Sequence, residues 1–202
     1  RFPFPIETTE LAPNERVERT QYVIVPFAAA HSGQALGFAL VEEKRRGRFN
    51  PDMARSLGIP EGPLWGRLHR GEAVTLDDGR TVTAAELVGP RRPGRTIVFS
   101  GDTRPSDETV RISTGADLLI HEATFGEEEA ERARDTGHST AREAAEIAHR
   151  AGVGRLVLTH FSARYSRDAG DLLREARELF RETILARDGL EVEVGFRGAE
   201  EG

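Results

Sequence analysis

The sequence predicts an α/β fold, and three observations predict it. From Arg95 onward short β-branched and apolar runs alternate with stretches of helical periodicity. Two earlier apolar runs are separated by a turn too short to hold a helix. Several of the apolar runs also stop at a polar, metal-competent residue, the arrangement by which a sheet delivers functional groups to one edge.

In order, residues 22–30 (YVIVPFAAA) and 35–43 (ALGFALVEE) read as two strands joined by a turn containing His31, Ser32 and Gly33. A Gly- and Pro-rich segment follows that is too long for an ordinary loop, and its internal order favours an insertion, assigned here to residues 44–95. Within it, 50–57 suits a helical turn, EAVTLDDGRTVT a hairpin about Asp78-Gly79, and 84–87 another short turn. Beyond it the reading is strand 96–100, strand 116–120, helix 126–134, helix 139–151, strand 155–159, helix 168–180, and strands near 183–187 and 190–195. Ser139 is the expected N-cap, with Glu143 near the first turn and Ala144, Ala145, Ile147 and Ala148 on one face. Residues 1–17 are read as a strand entering the sheet.

Composition narrows the function. With 38% hydrophobic residues in 202 the chain can bury a real core, and no apolar run approaches a membrane span, so a soluble, cytoplasmic protein without membrane contact is expected. There is no Cys, which excludes disulfides and thiolate metal sites. The net charge of −6 argues against broad attraction to nucleic acid, yet the segment between Val41 and Ile97 is locally positive, at +3.

His31, His121 and His160 each lie just past a predicted strand, Asp102 ends TIVFS, and His138 precedes a helix. Singly, each reads as well as a turn residue or a satisfied core histidine. Together they favour a site, because His is not a favoured turn former.

The motifs FSGDTRPSD, LLIHEATF, GHST and LTHFSARY, in this order, resemble the C-terminal half of ribonuclease Z, a transfer-RNA 3′-processing endonuclease of the metallo-β-lactamase fold. HSGQALGFALVEEKRRGRF and LGIPEGPLWGRLHRGEAVTLDDGR extend the match over nearly the whole chain. The resemblance implies part of a metallo-β-lactamase αβ/βα sandwich with an inserted exosite arm. It implies two zinc ions in the complete enzyme, with manganese or magnesium as alternatives, held in part by His31 and His160 and bridged by Asp102. It also implies that Glu122 and His138 protonate the departing ribose oxygen, that Arg164 meets a phosphate, and that Gly62 and Pro63 lie in an arm that grips precursor transfer RNA, often across a homodimer.

The sequence departs from the family in one respect: it contains no His-x-His-x-Asp-His motif, which there supplies further ligands and the water-activating residue. A fragment of a longer enzyme is therefore expected, inactive alone and exposing apolar surface where other strands pack. The alternatives are an RNA-binding remnant and a phosphodiesterase for small substrates.

Overall fold

The computed structural model describes residues 4–5 and 7–196. Along the chain the elements are β1 (Val17–Glu18), β2 (Tyr22–Ala28), β3 (Leu36–Glu42), α1 (Pro51–Ser56), α2 (Pro63–His69), β4 (Val74–Thr75), β5 (Thr81–Val82) and α3 (Ala84–Leu87). They continue as β6 (Thr96–Phe99), α4 (Asp107–Ser113), β7 (Leu118–Glu122), α5 (Ala130–Thr136), α6 (Ala141–Ala151), β8 (Leu156–Thr159), α7 (Gly170–Leu179) and β9 (Thr183–Leu185). None of the described helices is long and apolar enough to cross a membrane.

Residues 1–42 and 95–202 form one compact unit and residues 43–94 another. The first is built on a seven-stranded sheet in the order β1-β2-β3-β6-β7-β8-β9. β1 to β6 pair antiparallel in that order, and β6 to β9 pair parallel. Two reversals make β2 run in the same sense as β6, so the C-terminal ends of β2, β6, β7 and β8 emerge along one edge.

One face of this sheet is packed. Phe27, Val98, Leu119, Leu156 and Leu158 meet Ala144, Ala145, Ile147 and Ala148 of α6 and Leu172 and Ala176 of α7 in a single buried cluster. Ala141, Ala144, Ala145 and Ala148 recur at helical spacing and are fully buried, and methyl side chains let the α6 backbone lie close to the strands. α6 starts in a capping box between Thr140 and Glu143 and ends at Gly152, whose φ of 62° is costly for any side chain.

The opposite face carries Ile24, Phe38, Leu40, Ile97 and Phe99, in register as Ile24↔Leu40, Phe38↔Phe99 and Leu40↔Ile97. These residues line an apolar groove, with Phe38 37% and Phe99 45% exposed. An antiparallel region can leave one face to water, but a contiguous run of exposed Ile, Leu and Phe there has the composition of an interior.

The 43–94 unit has its own core of Ala54, Ile59, Leu68, Val74, Val82 and Leu87, flanked by Phe49 and Trp65. Asn50 caps α1 by accepting from Met53 N at 3.0 Å, and the Trp65 indole donates to Ile59 O at 3.2 Å. The hairpin about Asp78-Gly79 forms, with Val74↔Val82 and Thr75↔Thr81 paired and Gly79 at φ 83°. Its chain ends are drawn together by bridges between Arg45 and Arg92 and between Phe49 and Val88.

Several elements differ from expectation. β7 lies at 118–122, because Ala116 N is taken by a turn to Ser113 O while the strand runs on to pair Glu122 with Thr159. The cap of α6 is Thr140, three residues before Glu143 as a capping box demands; Ser139 instead donates its hydroxyl to Thr103 O. α2 and α4 were unforeseen, although Ser106 followed by Asp107 and Glu108 is an N-terminal helix signal. The expected helix over 126–134 is a 3-10 turn at Glu127–Glu129 followed by α5. No strand forms at 190–195: after the turn at Asp188-Gly189 this segment runs past Asp117, Leu118 and Arg155, and Arg95 binds Val194 O at 3.0 Å where a ladder would need a neighbouring strand. The expected strand over 1–17 is reduced to its last residue in β1, with residues 1–3 and 6 outside those described.

Replacing Phe38 and Phe99 together by Ser is expected to lower binding of a hydrophobic fluorescent dye and reduce self-association while leaving the unfolding temperature within the range of surface substitutions. Dye fluorescence and sedimentation measured beside a thermal melt check this; a large loss of stability would show that the face is core rather than surface.

Candidate metal centre

The loops at the sheet's C-terminal edge bring the predicted residues together. After β2, Ala30 N donates to Thr103 Oγ1 at 2.9 Å and Ala30 O accepts from Arg104 N at 2.8 Å, which lays the loop of His31 against the loop of Asp102. Gly101 turns the chain after β6 with φ 64°, and a Cβ there would come within 2.8 Å of Leu36 O. His160 follows β8 at φ 59°, a left-handed conformation that costs a non-glycine residue about 1 kcal/mol or more.

Atoms able to ligate a metal on His31, Asp102 and His138 all lie within 4.8 Å of one another, and so do those on Glu122, His138 and His160. His160 Nε2 is 3.5 Å from Asp102 Oδ1. The imidazoles form a row, with centroids 5.0 Å apart for His31 and His138 and 5.2 Å for His138 and His160.

The partners of each ring decide its tautomer. His31 Nδ1 lies 2.9 Å from Gly137 O, a carbonyl that can only accept, so Nδ1 carries the proton. His138 Nδ1 donates to Glu122 Oε1 at 2.8 Å. Thr124 gives its one hydroxyl proton to Glu122 Oε2 at 2.7 Å, so at 2.9 Å it accepts from His160 Nδ1. Each ring therefore has its Nδ1–H committed to a fixed acceptor, which leaves Nε2 as the nitrogen a metal could take. Gly137 has φ 78°, and a Cβ on it would stand 2.8 Å from His31 Nδ1.

Glu122 is 1% exposed and receives five hydrogen bonds, from Thr103 N, His138 Nδ1, Thr124 N, Thr124 Oγ1 and Ser139 N. His121, the preceding residue in β7, points to the opposite face. It is fully buried, donates from Nδ1 to Glu122 O at 2.7 Å, leaves Nε2 without a partner, and burial pushes its pKa down. It takes no part in the His cluster, so of the strand-end residues it alone turns away.

Arg164 is paired with Glu129, and beside it the Tyr165 hydroxyl accepts from Gly126 N at 3.0 Å and contacts Glu128 and Glu129. Gly62 and Pro63 belong to the 43–94 unit, where Gly62 holds φ 145° at the start of α2 and Pro63 is its first residue. Thr103 and Thr124, which orient Glu122 and the rings, were not singled out from sequence, and Ser139 was read only as a helix cap; each lies inside a quoted motif, but a hydroxyl's partner is a matter of three-dimensional placement.

A family model of the β-lactamase superfamily domain matches residues 67–161. The fold is similar to the metallo-β-lactamase fold protein YhfI from Bacillus subtilis, with a TM-score of 0.58 and 19% identity over 89% of this chain and 53% of that one. It is also similar to human tRNase Z, short form, with a TM-score of 0.54 and 25% identity over 89% of this chain and 46% of that one. The chain thus has the architecture of the metallo-β-lactamase superfamily over the part of that fold it spans.

In sequence it is similar to ribonuclease Z: 62% identical over 196 residues to that of Gemmatimonas aurantiaca, covering 96% of this chain and 62% of the relative. Identity is 52% over 195 residues with that of Myxococcus xanthus, covering 96% and 64%, and 47% over 201 with that of Haloferax volcanii, covering 98% and 63%. The resemblance carried by the sequence motifs holds across nearly the whole chain, which spans somewhat under two thirds of these relatives' length.

Burial raises the Tyr165 pKa to about 12, with Glu128 and Glu129 adding to the effect and the Gly126 N–H opposing it. The unfolded chain loses this proton from about pH 10. The folded state then binds more protons than the unfolded, so this contribution is intact below pH 10 and is lost as pH rises toward 12. In a Tyr22→Phe background, ultraviolet titration should find Tyr165 still protonated at pH 11; ionisation near pH 10 would refute the assignment.

Proposed function

We propose that this chain is part of a zinc-dependent endoribonuclease that removes 3′ trailers from precursor transfer RNA by hydrolysis of a phosphodiester. The observation that carries the reading is the row of imidazoles at the sheet edge, each with Nδ1–H held and Nε2 open, beside the Asp102 carboxylate. The donor set fits a borderline-soft divalent cation: neutral imidazole nitrogen and carboxylate oxygen, with no thiolate.

In this reading His31, Asp102 and His160 would hold metal, Asp102 being read as the bridge because a carboxylate has two oxygens to offer. A bound divalent ion supplies Lewis acidity toward a phosphoryl oxygen and lowers the pKa of water. His138 is reserved for the leaving group. A ring whose Nδ1–H is bound by a buried carboxylate keeps one orientation, so Nε2 is aimed where a departing ribose oxygen would need a proton. Glu122 then steadies the imidazolium. That His138 stands within ligating reach of both groups makes its assignment the point to test.

Arg164 is read as a phosphate contact for which Glu129 is the resting partner, and the 43–94 unit, with Gly62-Pro63, as the arm that engages transfer RNA. The complete enzyme acts in the cytoplasm as a homodimer. These 202 residues lack the His-x-His-x-Asp-His motif, so this chain by itself is expected to bind zinc weakly and leave precursors uncut.

In the complete enzyme, Asp102→Ala should abolish processing with loss of metal, whereas His138→Ala should abolish it with metal retained. Metal analysis beside precursor cleavage decides this, and equal metal loss in both would make His138 a ligand. Deleting residues 45–94 should weaken transfer-RNA processing by at least 10²-fold while sparing a small phosphodiester, since only the former draws on remote binding energy. Equal loss of both activities would overturn the reading of the arm.

A further inference from the structure

Neither Arg104 nor Glu143 faces the row of imidazoles, yet together they reach three of the loops that build it. Arg104 NH1 donates to His138 O at 2.6 Å and to Glu143 Oε2 at 2.8 Å, and NH2 donates to Glu143 Oε1 at 2.5 Å. Both side chains are 23% exposed, so the pair is shielded from much of the water that weakens surface ion pairs. The same Arg104 carries the backbone N–H that donates to Ala30 O, beside His31, and follows Asp102 by two residues. Glu143 Oε2 in turn accepts from Thr140 N at 2.9 Å, closing the start of α6.

The His138 carbonyl explains why the pair is needed. It precedes the N-cap Thr140 and so lies outside the helix ladder of α6, and an acceptor there requires a donor from elsewhere. Arg104 supplies it with one arm of a planar fork whose other contacts are fixed by a carboxylate, so the carbonyl is held in direction as well as distance. A helix cap alone would need only Glu143 and Thr140. Arg150, on the same helix as Glu143, makes a comparison: its pair with Asp107 of α4, 46% and 91% exposed, reaches none of these loops.

We propose that Arg104 and Glu143 are positioning residues that lock the His138 loop in register with the loops of His31 and Asp102, and so set where the Nε2 atoms stand. The inference rests on the metal-centre reading, but its geometric part is tested without metal. In the whole chain labelled with nitrogen-15 histidine, the Nδ1–H protons of His31, His138 and His160 are each held by a defined acceptor and should be observable as slowly exchanging signals.

Arg104→Lys and Glu143→Gln should each abolish the protection of His138 and His31 while His160 keeps its own. Zinc affinity, measured by competition with a chromogenic chelator, should fall by about ten-fold or more, the usual effect of losing a group that orients a ligand. Arg150→Ala should change neither. Retention of all three signals and of parent-like zinc binding would overturn the proposal. So would loss of all three together, since that marks global destabilisation. If zinc binding by the parent chain is too weak to measure, as the missing motif allows, the ring-proton measurement alone decides the pair; the metal reading is tested separately by metal analysis of the complete enzyme.

Discussion

The site hangs on one buried carboxylate. Glu122, at the end of β7, gathers donors from the loop after β6 (Thr103), from its own downstream turn (Thr124) and from the segment before α6 (His138 and Ser139). A hydrogen bond to a charged group contributes roughly 1.5–3 kcal/mol net, and each buried donor left unmade costs a similar amount, so this one acceptor governs whether three loops share an arrangement. It also sets two of the three tautomers: His138 directly, and His160 through the hydroxyl of Thr124. Replacement by an amide would force a donor among five donors.

Around that anchor the sheet supplies direction. Four strands deliver their C-terminal ends to one edge, because β2 is turned twice before β6 and the remaining order is parallel. Left-handed backbone recurs at the turns beside the site: Gly101 after β6 and Gly137 at the end of α5 adopt it cheaply, while His160 after β8 adopts it at a cost. The helices cover only one face, leaving Phe38 and Phe99 on a surface with interior composition. Fold and site are thereby separable, since the packed face carries stability and the open edge carries chemistry.

Much of this was legible from residues. The alternation of patterns located β2, β3, β6, β8, α6 and α7 within a few positions, and the strand-end residues His31, Asp102 and His160 lie where that pattern puts them. Periodicity erred where a neighbour, rather than the local pattern, decided the outcome. β7 extends to Glu122 because Thr159 is there to pair with it, and 190–195 joins no ladder, its Val194 O being bound by the Arg95 side chain. His121 and Glu122 were read as residues beyond a strand; within one, their alternation sends the first into the core and the second to the centre.

By itself the sequence determined the fold class, the exclusion of thiolate ligation, the separate composition of the inserted segment and the family resemblance, because each follows from residue type and spacing along the chain. Only the tertiary structure decided which nitrogen of each histidine is free, that Ser139 serves Glu122 rather than capping α6, and that Arg104 and Glu143 meet across 39 positions. Hydrogen bonds between groups far apart in sequence leave no periodicity behind, and they exist only once strands that are distant in the chain have been laid side by side.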